Sequence, residues 1–256
     1  MKLHLFCDEF ILSEYLRLKL ILDGMPRYKA GTHKGVNVIR EYSGRGGNIT
    51  TRISHAGSRN YAAMQKRLWY YEDCKLKKSL FYDEIRRRRL AIPEGFKFVR
   101  KPSTFNANTW KQYEACSNPI EIDTDYYDDY GFNVRSRGEM MVGNALKELG
   151  LDAKYEPQVK LKNGRKKTPD YSFPVPVIDR CFYVEFVGKT DNEEYIRNNY
   201  GKIDEYMLNG ILPGRDLILI CGTENWIPTQ ETIMEMIASF INIAVRSVYN
   251  KKLWKQ

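Results

Sequence analysis

A chain of 256 residues with 41 Lys and Arg against 32 Asp and Glu has a formal net charge of +9, with 43 % hydrophobic and 29 % charged residues. That balance excludes wholesale disorder, and the lack of any run near 18 apolar residues excludes a membrane helix. Cys7, Cys74, Cys116, Cys181 and Cys221 lie far apart without a CxxC, which excludes a disulfide framework and a zinc ribbon. His4, His33 and His55 are too few and too early for a His-rich metal site.

The first eight residues carry an early acid and no small-residue cleavage site, so no secretory leader is expected, and the free cysteines fit a reducing, cytoplasmic compartment. Residues 9–22 have apolar positions at helical spacing, closed by Asp23-Gly24 and Pro26. Residues 35–54 place two β-branched runs around a Gly-rich turn, which predicts a hairpin with Arg40, Arg45 and Arg52 on or beside it. A basic two-stranded ribbon suits a nucleic-acid groove or backbone, and an ordinary hairpin with polar residues outward suits the pattern equally well. Residues 58–92 contain no internal Gly or Pro and predict one long helix, or two, with an apolar side and a basic side. Its end, Arg86 to Arg89, is either a phosphate-contact patch or the solvated end of a helix, where cations suit the macrodipole. Residues 93–130 lack periodicity and read as a connector, with an acidic run at 123–129 that fits no EF-hand loop.

The second half is more regular. It predicts a helix over 136–149, strands over 153–161, 170–173 and 181–187, and a helix over 192–208. A strand over 216–221 and a helix over 229–248 follow, with a turn at 162–165 between the first two strands. The order α-β-β-β-α-β-α implies an α/β sandwich. Residues 1–115 hold 23 basic and 11 acidic side chains, and residues 116–256 hold 18 and 21. The basic excess therefore lies in the first half, which is expected to contact nucleic acid as a region of its own, 1–115, ahead of a domain at 116–256.

Three carboxylates stand out in that domain. Glu139 is on the first helix, Asp170 follows Pro169 and opens the second strand, and Glu185 sits inside the apolar strand 181–187. An acid inside a buried strand costs several kcal/mol unless it is paired or binds a cation. It can pair with Lys189, Lys160 or Arg137, or the three acids can converge on Mg²⁺ or Mn²⁺.

The segments Thr168-Pro169-Asp170-Tyr171 and Tyr183-Val184-Glu185-Phe186-Val187-Gly188-Lys189, with Arg135-Ser136-Arg137-Gly138-Glu139 upstream, resemble the PD-(D/E)XK nuclease superfamily. Tyr155-Glu156, Tyr195, Lys202, Tyr206 and Asn209-Gly210 extend that likeness, which covers roughly residues 131–225, to small stand-alone members. The resemblance implies a restriction-endonuclease-like αβββαβα core and an Mg²⁺-dependent (or Mn²⁺-dependent) endonuclease acting on DNA, less often RNA. It implies Glu139, Asp170 and Glu185 as metal ligands and Arg135 and Arg137 beside the nucleic acid. Cutting both strands favours a homodimer or sequential nicking. Val187 stands where the family has a lysine. Lys189 is the first candidate to replace it, with Lys160 and Lys202 as alternatives. A binding module that keeps the fold without catalysis is the competing expectation.

Overall fold

The structure is a computed structural model that describes residues 1–44, 49–99 and 105–249. Arg45 lies outside the described residues. The chain divides into two compact units, Phe10–Phe96 and Met1–Glu9 together with Lys97–Gln256. The division thus falls before residue 97 rather than near 115, and the first nine residues join the later unit. The reason is visible in the hydrogen bonds. Asn242 accepts from the Cys7 backbone N–H (2.7 Å) and donates to the Leu5 carbonyl (2.9 Å). Trp110 Nε1 donates to the Ser172 carbonyl (3.1 Å), and the Tyr113 and Tyr183 hydroxyls meet at 2.8 Å. Those bonds stitch both flanking segments to the later unit.

In the unit Phe10–Phe96, α1 (Asp8–Gly24) precedes β1 (Arg27–His33), β2 (Val36–Ser43), β3 (Thr50–His55) and α2 (Tyr61–Arg87). The strands form one antiparallel sheet in the order β1-β2-β3, so the expected hairpin carries a third strand. One face of that sheet is apolar. Tyr28 and Ile39 pack there against Met64 and Leu68 of α2. The long helix forms as the sequence predicts, because nothing between residues 61 and 87 breaks its hydrogen-bond ladder.

The later unit contains α3 (Ala107–Lys111), a short β4/β5 pair (Tyr126–Tyr127, Asn133–Val134), α4 (Arg137–Glu148), β6 (Lys154–Tyr155), β7 (Val159–Lys160) and β8 (Lys166–Lys167). Then come β9 (Tyr171–Val175), β10 (Arg180–Val187), α5 (Glu193–Leu208), β11 (Leu217–Cys221) and α6 (Gln230–Arg246). A four-stranded mixed sheet runs β11-β10-β9-β6, with β10 and β11 parallel and the other pairs antiparallel. The α/β class holds. Along β10 the side chains alternate. Cys181 and Tyr183 pack with Tyr206 of α5, whereas Phe182 meets Phe240 of α6 edge-on at 5.3 Å. Helices therefore cover both faces of the sheet.

The strand expected over 153–161 is broken in two. Glu156 adopts φ 40, so β6 ends at Tyr155 and the chain turns away. The turn at residues 162–165 closes β7 onto β8, and it is β6 that pairs with β9. The acidic run at 123–129 organises a loop: Asp128 accepts from the Tyr130 and Phe132 backbone N–H groups and from the Tyr171 hydroxyl (2.7 Å). Among the described residues no helix is long and apolar enough to cross a membrane.

Candidate active site

β9 and β10 bring two of the predicted acids together. Their register pairs Tyr171 with Val184, so one residue further Asp170 lies opposite Glu185. β9 begins only at Tyr171, and before it the Asp170 side chain takes over from its backbone: Oδ2 accepts the Phe186 N–H at 2.6 Å. Glu185 follows Cys181 and Tyr183 onto the α5 face, where Lys202 and Tyr206 stand one helical turn apart. Lys202 Nζ lies 2.7 Å from Glu185 Oε2, and the Tyr206 hydroxyl donates to Oε1 at 2.8 Å.

Burial, and then the Asp170 carboxylate, push the Glu185 carboxyl up to about 8, against the opposing pull of Lys202 and Tyr206. Asp170 is also raised, chiefly by burial. Lys202 is held above its ordinary range, since the Glu185 and Asp170 charges outweigh the burial that by itself would lower it. Two acids thus share one ammonium, which leaves negative charge that a proton or a cation can balance.

Glu139 is buried, but it comes from the opposite side of the sheet. Its helix α4 begins at a Ser136 N-cap: the Ser136 hydroxyl accepts the Glu139 N–H (3.2 Å) and donates to Glu139 Oε1 (3.0 Å). Glu139 Oε2 accepts the Arg135 N–H (3.1 Å) and the Tyr155 hydroxyl (2.7 Å). Burial, and then Asp170, push Glu139 up to about 7. Gly138 is required beside it, because a Cβ there would lie 2.0 Å from the Phe186 ring. A pocket of 280 Å³ opens at this helix end, lined by Arg137, Glu139, Lys189 and Tyr195 among others.

The remaining predicted residues separate into groups. Lys189 is exposed, 3.9 Å from Glu224, and shares the pocket with Glu139 rather than the ammonium position on Glu185. Lys160 is exposed on β7. Arg137 is exposed at the pocket, whereas Arg135 is engaged internally, on Glu156 and on the Ile120 and Glu121 carbonyls. Arg87 and Arg88 both bind Glu84, whose carboxyl they hold down at about 2. Arg86, Arg89 and Arg52 are exposed, and Arg40 is half-buried on β2. The residues missing from the predicted site are Tyr155, Ser136 and Tyr206. All three stand in segments that carry the family resemblance, and Tyr206 also lies four residues from Lys202, but the sequence assigns none of them a role.

Among the described residues no group of three or more His, Cys, Asp or Glu is gathered as a metal cluster. The pair Asp170 and Glu185 does fit Mg²⁺ or Mn²⁺, which bind through one or two carboxylates and complete their shell with water and phosphate oxygens. No family model, no curated protein and no solved structure matches the chain.

Proposed function

We propose that the later unit is a metal-dependent nuclease of PD-(D/E)XK type that hydrolyses nucleic-acid phosphodiesters, DNA above all. The observation that carries this reading is the meeting of Asp170, Glu185 and Lys202 at the end of the β9–β10 pairing. The order α4, β6, β9, β10, α5, β11, α6 supports a restriction-endonuclease-like core. Asp170 and Glu185 would hold Mg²⁺ or Mn²⁺, which supplies positive charge at the scissile phosphate and a more acidic water.

The protein's own groups do the rest. Tyr206 fixes the Glu185 rotamer, and the Phe186 N–H fixes Asp170. Lys202, not Lys189, supplies the ammonium that offsets charge building on the phosphate. Arg137 and Lys189 line the neighbouring pocket and attract the flanking phosphates. Glu139 acts from behind, positioning the start of α4 through Ser136 and Tyr155. Each hydrolysis consumes one water and yields a phosphomonoester and a hydroxyl.

The second reading, a nucleic-acid-binding module with this fold and no catalysis, is favoured by Val187 at the lysine position and by the full engagement of Glu139. The test is cleavage of supercoiled, linear, single-stranded and branched DNA and of RNA, with Mg²⁺, Mn²⁺ or chelator. The wild type is expected to cut only with metal, and Asp170→Asn and Glu185→Gln to be inactive. A wild type that binds DNA but cuts nothing with either metal selects the second reading.

A further inference from the structure

We infer that the β1–β2 ribbon of the unit Phe10–Phe96 is the surface that docks duplex DNA, in the major groove, through Arg27, Lys29 and Arg40. The inference rests on the reading of this chain as one that acts on DNA, and it names the surface that reading leaves open.

The three-stranded sheet has two unlike faces. Tyr28, Ile39 and Glu41 turn toward α2, where Tyr28 donates to Glu41 Oε2 at 3.0 Å and Arg67 lies 3.5 Å from the same oxygen. Alternation puts Arg27, Lys29 and His33 of β1 and Val36, Val38 and Arg40 of β2 on the other face. His55 and Ile53 of β3 share it, paired with Val38 and Arg40.

That face carries cations and no carboxylate, since Glu41 is the only acid between residues 27 and 55 and it points the other way. Among the described residues Arg27, Lys29 and Arg40 make no ion pair, unlike Arg67, Arg87 and Arg88. Lys29 is paired directly with Arg40, and Arg27 precedes Lys29 by two residues, about 7 Å along the strand. Gly31 has a structural reason on this face: Arg40 Nη1 lies 2.7 Å from where its Cβ would be, so the guanidinium lies across β1 and donates to the Thr32 carbonyl (3.2 Å). His33 Nδ1 and His55 Nε2 meet at 3.2 Å further along, and Val36 and Ile53 are each 42 % exposed.

Three unpaired cations within one small area would repel one another unless a polyanion covers them, and a single small anion answers only one of them. The exposed side chains of Ile53, beside Arg40, and Val36, further along the same face, suit sugar and base-edge contacts. The major groove of B-DNA, about 12 Å wide, admits a two-stranded ribbon, whereas the deep and narrow major groove of A-form RNA does not. Duplex DNA is therefore the occupant.

The test measures binding of the full chain to a short labelled DNA duplex in chelator, so that cleavage plays no part, across about 50 to 200 mM salt. The triple variant Arg27→Ala, Lys29→Ala, Arg40→Ala is compared with the wild type and with Lys66→Ala, Lys75→Ala, Arg86→Ala, which removes the same charge from α2. Losing three phosphate contacts is expected to reduce the log–log salt slope by about 2.7 in the first variant, while the second keeps the wild-type slope. The single variant Lys29→Ala, expected to lose about 0.9, keeps the test open if the triple variant does not fold. A wild type that binds with an unchanged slope in both ribbon variants overturns the inference. So does an equal loss in the α2 variant, or tighter binding to duplex RNA. A wild type that binds no nucleic acid at all overturns instead the reading beneath it.

Discussion

Gly138→Ala tests whether the start of α4 lies as close to β10 as the candidate site requires. An added Cβ would lie 2.0, 2.2 and 2.4 Å from three carbons of the Phe186 ring. That ring is nearly buried, and its own N–H is fixed by Asp170, so it cannot simply swing out. Overpacking of this kind costs about 1–3 kcal/mol. Alanine recovers up to about 1 kcal/mol in helix propensity. With three ring carbons inside 2.5 Å the upper end of that cost applies, so the expected net loss is about 2 kcal/mol. Gly201 on α5 supplies the control, because among the described residues nothing lies within 4 Å of its Cβ position. Gly201→Ala is expected to stabilise by about 0.5–1 kcal/mol. Urea denaturation of both variants, followed by tryptophan fluorescence and circular dichroism, reads the two signs. If Gly138→Ala is as stable as the wild type, the close contact between α4 and Phe186 is wrong, and the position of Glu139 falls with it.

Three further outcomes are expected. The Glu185 carboxyl is raised from near 4.5 to about 8, so it withdraws stability as pH rises through that window; Lys202→Met should deepen this, costing about 3–5 kcal/mol at high pH and less below pH 6, and an equal loss at both ends would refute the pairing. Glu84 is lowered from near 4.5 to about 2, chiefly by its hydrogen bond from Arg87, so the stability it contributes is complete above about 4.5 and fades as pH falls toward 2. Glu84→Gln should therefore flatten the acid limb of a stability profile in that range, and a limb of unchanged steepness would count against it. Among the described residues Ser172 Oγ is buried without a hydrogen-bond partner, so Ser172→Ala should be neutral or stabilising by up to about 1 kcal/mol in thermal denaturation, whereas a clear loss would reveal a partner at that hydroxyl.

The helices were legible because their apolar spacing is long and uninterrupted, most plainly over residues 61–87. Glu185 was legible for the opposite reason, as one acid among apolar neighbours in β10. β1 was not, since Arg27-Tyr-Lys-Ala-Gly-Thr-His33 has no β-branched run and becomes a strand through its seven-residue register with β2. The break at Glu156 depends on a positive φ at a residue whose type does not announce one, and the half-buried Arg135 ion pair holds that turn from a distance of 21 residues. Lys202 lay among several lysines in sequence. What singles it out is the α5 face, which sets it and Tyr206 side by side over Glu185. The Ser136–Glu139 spacing matches a helix start as well as it matches an acid bound for a metal, and the hydrogen bonds of α4 hold Glu139 at that start, on the Ser136 hydroxyl and the Arg135 N–H.

The most direct measurement is Mn²⁺ binding to the full chain, followed by electron paramagnetic resonance, in the wild type and in Asp170→Asn, Glu185→Gln and Glu139→Gln. If Asp170 and Glu185 hold the ion while Glu139 caps its helix, the first two variants lose the site and Glu139→Gln keeps it with its affinity changed by less than about tenfold, below the roughly 10–100-fold that a residue hydrogen-bonded to a metal ligand would cost. Wild-type affinity retained in both Asp170→Asn and Glu185→Gln would contradict the account.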